Sequence, residues 1–321
     1  MRIHPAIAAL RGAHSSQRPH PVEAAATSLR QAREDWLAQP NVSAIGADVQ
    51  RYAAGADIEN CIALASLLTN PAKASDFVEA ITRSTLHAFG AFPLGETPYR
   101  YRVSRGFAMI QLIENGGATL SLAAYEPVPG GEAPTSALFS DCDVHELVLA
   151  GRVQGVKHRQ ISDGSLVSTR QSWREGDTLT LKPRSEAREV LNVEEAMLIL
   201  RLTREPKRPA PTRLVDLTTG QTSRTASGDK SASQAVMALN VLGALRDDGA
   251  LDVMEKTALN REEDADLRWE AARQALALGP VRGLSILAQL ADRSGDALAN
   301  PARALRATLL ERQPELRALV E

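Results

Sequence analysis

Aromatic residues make up only 4% of this 321-residue chain, so its cores must rest on Leu, Val, Ile and Ala. Cysteine is scarcer still. Cys61 and Cys142 stand far apart in the sequence, which excludes a disulfide framework and suits a reducing compartment. No apolar run approaches the roughly 18 residues that signal a membrane span. An excess of one charge is also missing. A formal net charge of −2 argues against a general nucleic-acid binder, which needs surplus Lys and Arg to displace counterions. It gives no reason to invoke an anionic membrane surface. The first 21 residues are too weakly apolar for a secretory signal. The expectation is a cytoplasmic protein with a flexible tail over residues 1–21.

What the chain does have is 44% hydrophobic residues, ordinary for a globular protein, and a length suited to two or three domains. Residues 22–98 read as a helical segment, with helices expected over 22–39, 44–54, 58–68 and 76–89. Asp57 and Ser75 are the expected N-caps of the last two. The period then changes. Strand patterns cover 107–114 and 118–126, joined by the hairpin signal Asn115-Gly116-Gly117. A Pro- and Gly-rich loop over 127–134 follows. Further strands are expected over 146–150, 152–160, 165–173, 178–181, 189–193 and 196–203, and a last hairpin around Thr219-Gly220. Many short strands at close spacing point to a closed or two-sheet all-β unit over 99–226. A polar linker over 223–233 leads to helices over 234–321. There Ala238, Leu245, Leu251, Val253 and Met254 recur as Ala271, Leu278, Leu284, Ile286 and Leu287. That period of about 33 residues is the length of a stacked helix pair. The segment 265–296 resembles a HEAT-type repeat, which implies a helical surface for a protein partner.

The most specific stretch runs from Gly176 to Asn192. It reads as a turn, a short alternating strand, a turn at Pro183 and a second strand. It resembles the second sequence motif of the cupin superfamily, in which a Gly, a Pro, a metal-binding His and an Asn recur. Gly176, Pro183 and Asn192 match, and Arg188 stands where the His belongs. Gly151 resembles the closing glycine of the first cupin motif. The resemblance covers about residues 101–204. It implies an α+β protein: a cupin-like double-stranded β-helix barrel flanked by N-terminal helices and a C-terminal HEAT-like region. Counting back from Gly151, the metal-binding carboxylate position falls on Val144 and the His pair within 137–140. None of these residues ligates a metal well. Arginine cannot lend a lone pair to a metal, so the expectation is a metal-free barrel. An inward-pointing Arg188 suits a small anionic ligand, held by a bidentate fork. The plainer alternative is a surface Arg paired with Glu186 or Glu189.

A rival set of ligands lies in Asp141-Cys142-Asp143-Val144-His145-Glu146. If extended, it places Asp141, Asp143 and His145 on one side, with His158 further along. His145, His158 and Asp143 are the residues that would hold a divalent transition metal. Cys142, between two acidic residues, is disfavoured as a nucleophile. Two functions therefore stand open. One is a non-catalytic or regulatory binding protein with Arg188, His158 and His145 as ligand-binding residues. The other is a cupin-type enzyme, a metal-dependent dioxygenase or isomerase or a metal-free epimerase, using His145 and His158, with Tyr125 as an available phenol. A homodimer is also expected, because cupin-like barrels often pair through strand edges.

Overall fold

The computed structural model describes residues 20–91, 96–128, 130, 134–161 and 164–319. Residues 1–19 of the expected tail over 1–21 and part of the loop over 127–134 lie outside them, and residues 20 and 21 belong to the first helix. Helix α1 (His20–Leu37) starts two residues earlier than its pattern predicted. Helix α2 (Pro40–Ala53) starts four residues before the expected 44–54 helix and takes Pro40 as its first residue, since a missing N–H costs nothing in the first turn. The expected helix over 58–68 divides into a 3₁₀ turn at Ile58–Asn60 and helix α3 (Ile62–Thr69). Its cap comes from across the fold rather than from Asp57: Asp48 of α2 accepts the Ala63 and Leu64 amides at 2.7 and 3.2 Å. Helix α4 (Pro71–Ala91) also begins early. Asn70 accepts the Lys73 amide and Pro71 follows it, leaving Ser75 inside the helix.

Among the described residues ten strands follow: β1 (Tyr101–Ser104), β2 (Phe107–Asn115), β3 (Ala118–Tyr125), β4 (Ser136–Phe139), β5 (Asp143–Gln160), β6 (Leu166–Arg174), β7 (Thr178–Leu181), β8 (Glu186–Arg204), β9 (Thr212–Asp216) and β10 (Thr222–Ala226). They form a seven-stranded sheet ordered β1-β2-β3-β8-β5-β6, with β7 also on β5, and a three-stranded sheet ordered β10-β9-β4. Strand β5 carries β7 on its first half and β6 on its second, while β8 runs along nearly all of it. The sequence divides each of these long strands in two. The structure keeps them whole and bends them through bulges between Val148 and Gly155. Gly151 permits the bend: its φ is +85°, and a Cβ there would lie 2.1 Å from the Ala196 carbonyl. Strands β9 and β10 form the hairpin expected around Thr219-Gly220. Strand β4 was not anticipated; it is only four residues long and carries little alternating signal.

Two faces of the large sheet are buried, and they differ in chemistry. Leu120, Leu147, Leu149, Leu200 and Leu202 pack with Val42, Ile45, Val49 and Tyr52 of α2 and with α3 and α4 in one apolar core. Each such Leu is worth about 1.5–3 kcal/mol on full burial. The opposite face carries Val148, Val153, Trp173, Met197 and Ile199, together with the polar residues described below. Arg204, at the end of β8, ties α2 to the sheet. Its guanidinium lies 4.1 Å from the Tyr52 ring centroid. It donates to the Tyr52 and Ala56 carbonyls at 3.1 and 3.0 Å and to Asp143 at 2.7 Å. A cation on the last carbonyls of a helix complements its dipole.

The chain divides into two units: residues 1–207 with 213–224, and residues 208–212 with 225–321. The second holds α5 (Lys230–Leu245), α6 (Leu251–Leu259), α7 (Ala265–Leu278), α8 (Pro280–Ala291) and α9 (Ala299–Arg312). Asp229 and Asp264 cap α5 and α7, each accepting two first-turn amides. The core is built from Met254, Leu267, Ala271, Ala275, Ile286, Leu287 and Leu290. Arg268 and Asp296 form a buried pair at 2.6 Å, and Arg268 also donates to the Ala258 carbonyl.

Candidate functional site

In an antiparallel sheet, directly paired residues project to the same face. Glu146 is paired with Arg201 and Leu179, whereas its neighbour His145 is paired with Leu202 and Thr180. Glu146 therefore faces away from the helices, on the side of Val148 and Ile199. Further along, Lys157 is paired with Arg188, and His158 with Ala187. The bend in β5 and β8 carries Arg188 back to Glu146, although the two are not register partners. Nε donates to Oε2 at 2.6 Å and Nη2 to Oε1 at 2.8 Å. Nη2 also reaches the Tyr125 hydroxyl at 3.2 Å. The guanidinium lies 5.3 Å from the Tyr125 ring centroid and 5.8 Å from that of Trp173. Both charged side chains are withdrawn from water, 7% and 2% exposed.

Burial opposes ionisation of both partners. For Glu146 the nearby charge and hydrogen bonds of Arg188, helped by Arg201, outweigh it and hold the carboxyl below its usual value. For Arg188 burial would favour loss of the proton, but Glu146 and the Tyr125 hydroxyl reverse that and raise its pKa. The pair is ionised and neutral as a unit. A second cation adjoins it: Arg201 Nε lies 3.4 Å from Glu146 Oε1.

A cavity of 370 Å³ opens beside the pair, lined by Arg105, Phe107, Tyr125, Glu126, Arg188 and Asn192, among others. Asn192, the last residue of the stretch Gly176 to Asn192, thus lies at this opening. Gly176 turns the chain into β7 with φ +85°, and Pro183 sits in the turn between β7 and β8.

The sequence singled out four residues, and they fall in three places. Arg188 is buried, with Glu146 rather than Glu186 or Glu189 as its partner. Glu186 pairs with Lys157 at 2.9 Å. Glu189 alternates to the other face, where burial raises its pKa. His158 is buried on the face opposite Arg188, its Nδ1 2.8 Å from the Ser168 hydroxyl and its Nε2 without a partner. Burial lowers its pKa. His145 faces α2, with Nδ1 3.4 Å from Thr180 Oγ1 and its ring edge-on to Tyr52. Its pKa is also lowered, by burial. Asp143 is engaged by Arg204. The two imidazoles lie near opposite ends of β5. Among the described residues no group of three or more His, Cys, Asp or Glu is placed to hold a metal ion. The positions that the sequence resemblance assigned to metal ligands hold Val144, residues 137–140 and the cationic Arg188, a donor set that does not fit a divalent ion.

Sequence reasoning missed Glu146 as the centre of the site, and with it Arg201 and Trp173. One signal was present. Val144, Glu146 and Val148 alternate on one strand face, and a carboxylate in such a row implies a buried cation opposite.

No family model matches the chain, and no curated protein matches it. Solved structures similar to it include oxalate decarboxylase of Lactobacillus farciminis in a formate complex, at 12% identity over 34% of this chain and 31% of that one, with a TM-score of 0.27. An oxalate oxidase matches at 14% identity over 32% of this chain and 52% of that one, with a TM-score of 0.26. An RmlC-like cupin of Shewanella frigidimarina matches at 8% identity over 34% of this chain and 86% of that one, with a TM-score of 0.25. The chain thus spans about a third of the length of the decarboxylase. No helix among the described residues is long and apolar enough to cross a membrane.

Proposed function

We propose that this chain is a non-catalytic binding protein built on a cupin-type barrel, in which an arginine–carboxylate pair has taken the place of a metal centre. The barrel takes a small anionic ligand, and the helical unit, read as HEAT-like stacked pairs, serves a protein partner. The observation that carries the reading is the bidentate Arg188–Glu146 pair, at 2.6 and 2.8 Å and nearly free of solvent. A fixed cation at the centre repels a divalent ion, and a guanidinium saturated by a carboxylate does not exchange protons near neutral pH. The motif residues Gly176, Pro183 and Asn192 support the barrel reading through their places in the turns and at the cavity. The enzyme reading built on His145 and His158 gains no support, since the two rings lie near opposite ends of β5 and both face away from Arg188 and Glu146. Elemental analysis of protein purified from medium supplemented with Fe, Mn and Zn tests the proposal. The expected metal content is far below one ion per chain. One ion per chain, lost in His145→Ala, overturns it.

A further inference from the structure

Helix α5 is apolar on two opposite sides. Ala232 and Leu239 are buried in the core of the helical unit. Gly243 marks the same inner side, since a Cβ there would lie 1.9 Å from Gln274 of α7. Met237, Val241 and Leu245 follow one another at steps of four residues along the outer side, 61%, 57% and 71% exposed. No charged residue lies between Lys230 and Arg246. A helix that is apolar all round belongs in an interior, and a stack of helices needs a polar outer face on its terminal member. The last helix, α9, has one, with Arg303, Thr308, Glu311 and Arg312 exposed. The first helix, α5, presents the apolar stripe instead.

The stripe fits its own copy. Two α5 helices laid antiparallel about a two-fold axis at Val241 set Val241 on Val241, and each Met237 on Leu245 of the second copy. Every large side chain of the stripe then meets another, which is the self-complementarity a two-fold interface requires. Exposed Ala238 and Ala244 flank the stripe on either side and let the helix axes approach to about 8–10 Å. Charge selects the same arrangement. Lys230 lies on the stripe, about three turns before Val241. Antiparallel packing carries it towards the exposed Asp247 and Asp248, just past Leu245 of the second copy, while Arg246 falls on the far side of the helix. Parallel packing would set Lys230 beside Lys230. The antiparallel helix dipoles also attract. The 16 residues of α5 span roughly 24 Å. One such stripe covers less than the roughly 800 Å² a side of a standard interface, so the dimer it forms is weak and depends on concentration.

We infer that the partner of the helical unit is a second copy of this chain, docked through α5 in a two-fold antiparallel helix pair. The inference rests on the reading of that unit as a protein-binding element and names its partner. It places the contact on α5 and not on the strand edges of the barrel.

Sedimentation velocity of the full chain from about 5 to about 500 μM tests it. The expected result is a monomer that becomes a dimer with a dissociation constant of about 10–100 μM. Met237→Glu and Leu245→Lys each set a charge against an apolar side chain of the second copy, and each is expected to weaken the dimer at least about 10-fold. The double variant sets those two charges opposite each other twice across the axis. It is expected to return to within about threefold of the parent at low salt and to weaken again as salt is added. Both positions are exposed, so circular dichroism should match the parent throughout. Val241→Cys, on the axis, is expected to give a cross-linked dimer on mild oxidation. A monomer up to about 500 μM, a dimer of parental strength in Met237→Glu, a double variant no stronger than the single ones, or no cross-link at position 241 overturns the inference. A metal-free monomer defeats this inference alone, whereas one metal ion per chain defeats the binding-protein reading whatever the mass.

Discussion

Removing Arg188 is the sharpest test of the buried pair. Arg188→Met keeps most of the side-chain volume and deletes the charge. Glu146, 2% exposed, would then face Arg201 alone, at 3.4 Å and without a hydrogen bond. Stranding a buried charge in this way costs about 3–5 kcal/mol. At roughly 200 residues the first unit should lose 2–4 °C of melting temperature per kcal/mol, a drop of about 6–20 °C. Glu146→Leu should cost a similar amount, because it strands Arg188 instead. Combining the two should restore most of the loss: replacing a whole buried pair by apolar groups is neutral or even stabilising by about 1–4 kcal/mol. Urea denaturation at pH 7 of the parent, both single variants and the double gives the coupling energy directly. The expected coupling is at least about 3 kcal/mol. A single Arg188→Met loss below about 1 kcal/mol, or a double variant that simply adds the two losses, refutes the pair as a sealed unit.

Three further outcomes follow from the same geometry. The Glu146 carboxyl titrates below its usual 4.5 in the fold, so its stabilising contribution is complete above that pH and is lost as pH falls through the lower, folded value. Stability measured in urea from pH 6 to pH 3 should decline in the acid range, and Glu146→Gln should flatten that decline; an unchanged slope counts against the assignment. Arg204→Met removes the stack on Tyr52 and the bonds to the Tyr52 and Ala56 carbonyls, and should cost about 2–3 kcal/mol. Amide exchange at the end of α2 should accelerate with it, and protection identical to the parent sinks that role. In Gly155→Ala the new Cβ would lie 2.2 Å from the Trp173 ring and 2.4 Å from the Glu189 carbonyl. A cost of about 1–3 kcal/mol and a red-shifted tryptophan emission are expected from displacing the ring, and an unshifted spectrum refutes the contact.

Much of the fold was legible because its signals are local. The hairpin at Asn115-Gly116-Gly117 joins β2 to β3 as read, and the helices of both units fall close to their periodic patterns. The misses are those of long-range structure. Asn70-Pro71 reads equally well as a stop or a start, and only packing decides between them. A bulge at Gly151 looks in sequence like the gap between two strands, because the alternation breaks there whether or not the ladder does. The cap of α3 could not be read at all: Asp48 lies in the preceding helix, 15 and 16 residues upstream of the amides it accepts.

The candidate site was half legible for a related reason. Strand alternation states which residues share a face within one strand, but not which strand lies opposite. Arg188 stood out by its place in a motif, and the local sequence offered Glu186 and Glu189 as partners. Neither can serve. Glu189 alternates to the other face, and Glu186, though on the same face, is taken by Lys157, its neighbour across the ladder. The true partner, Glu146, comes from a strand that meets Arg188 only because β5 and β8 bend together. The row of register partners Gln111–Ser121–Arg201–Glu146 is still further from view, since it crosses four strands separated by up to 90 residues of chain. Arg201 lies between Leu200 and Leu202, Arg188 lies on the same strand, and among the described residues the one buried carboxylate near both is Glu146. Counting buried charges by face rather than by proximity in sequence would have brought Glu146, Arg188 and Arg201 together.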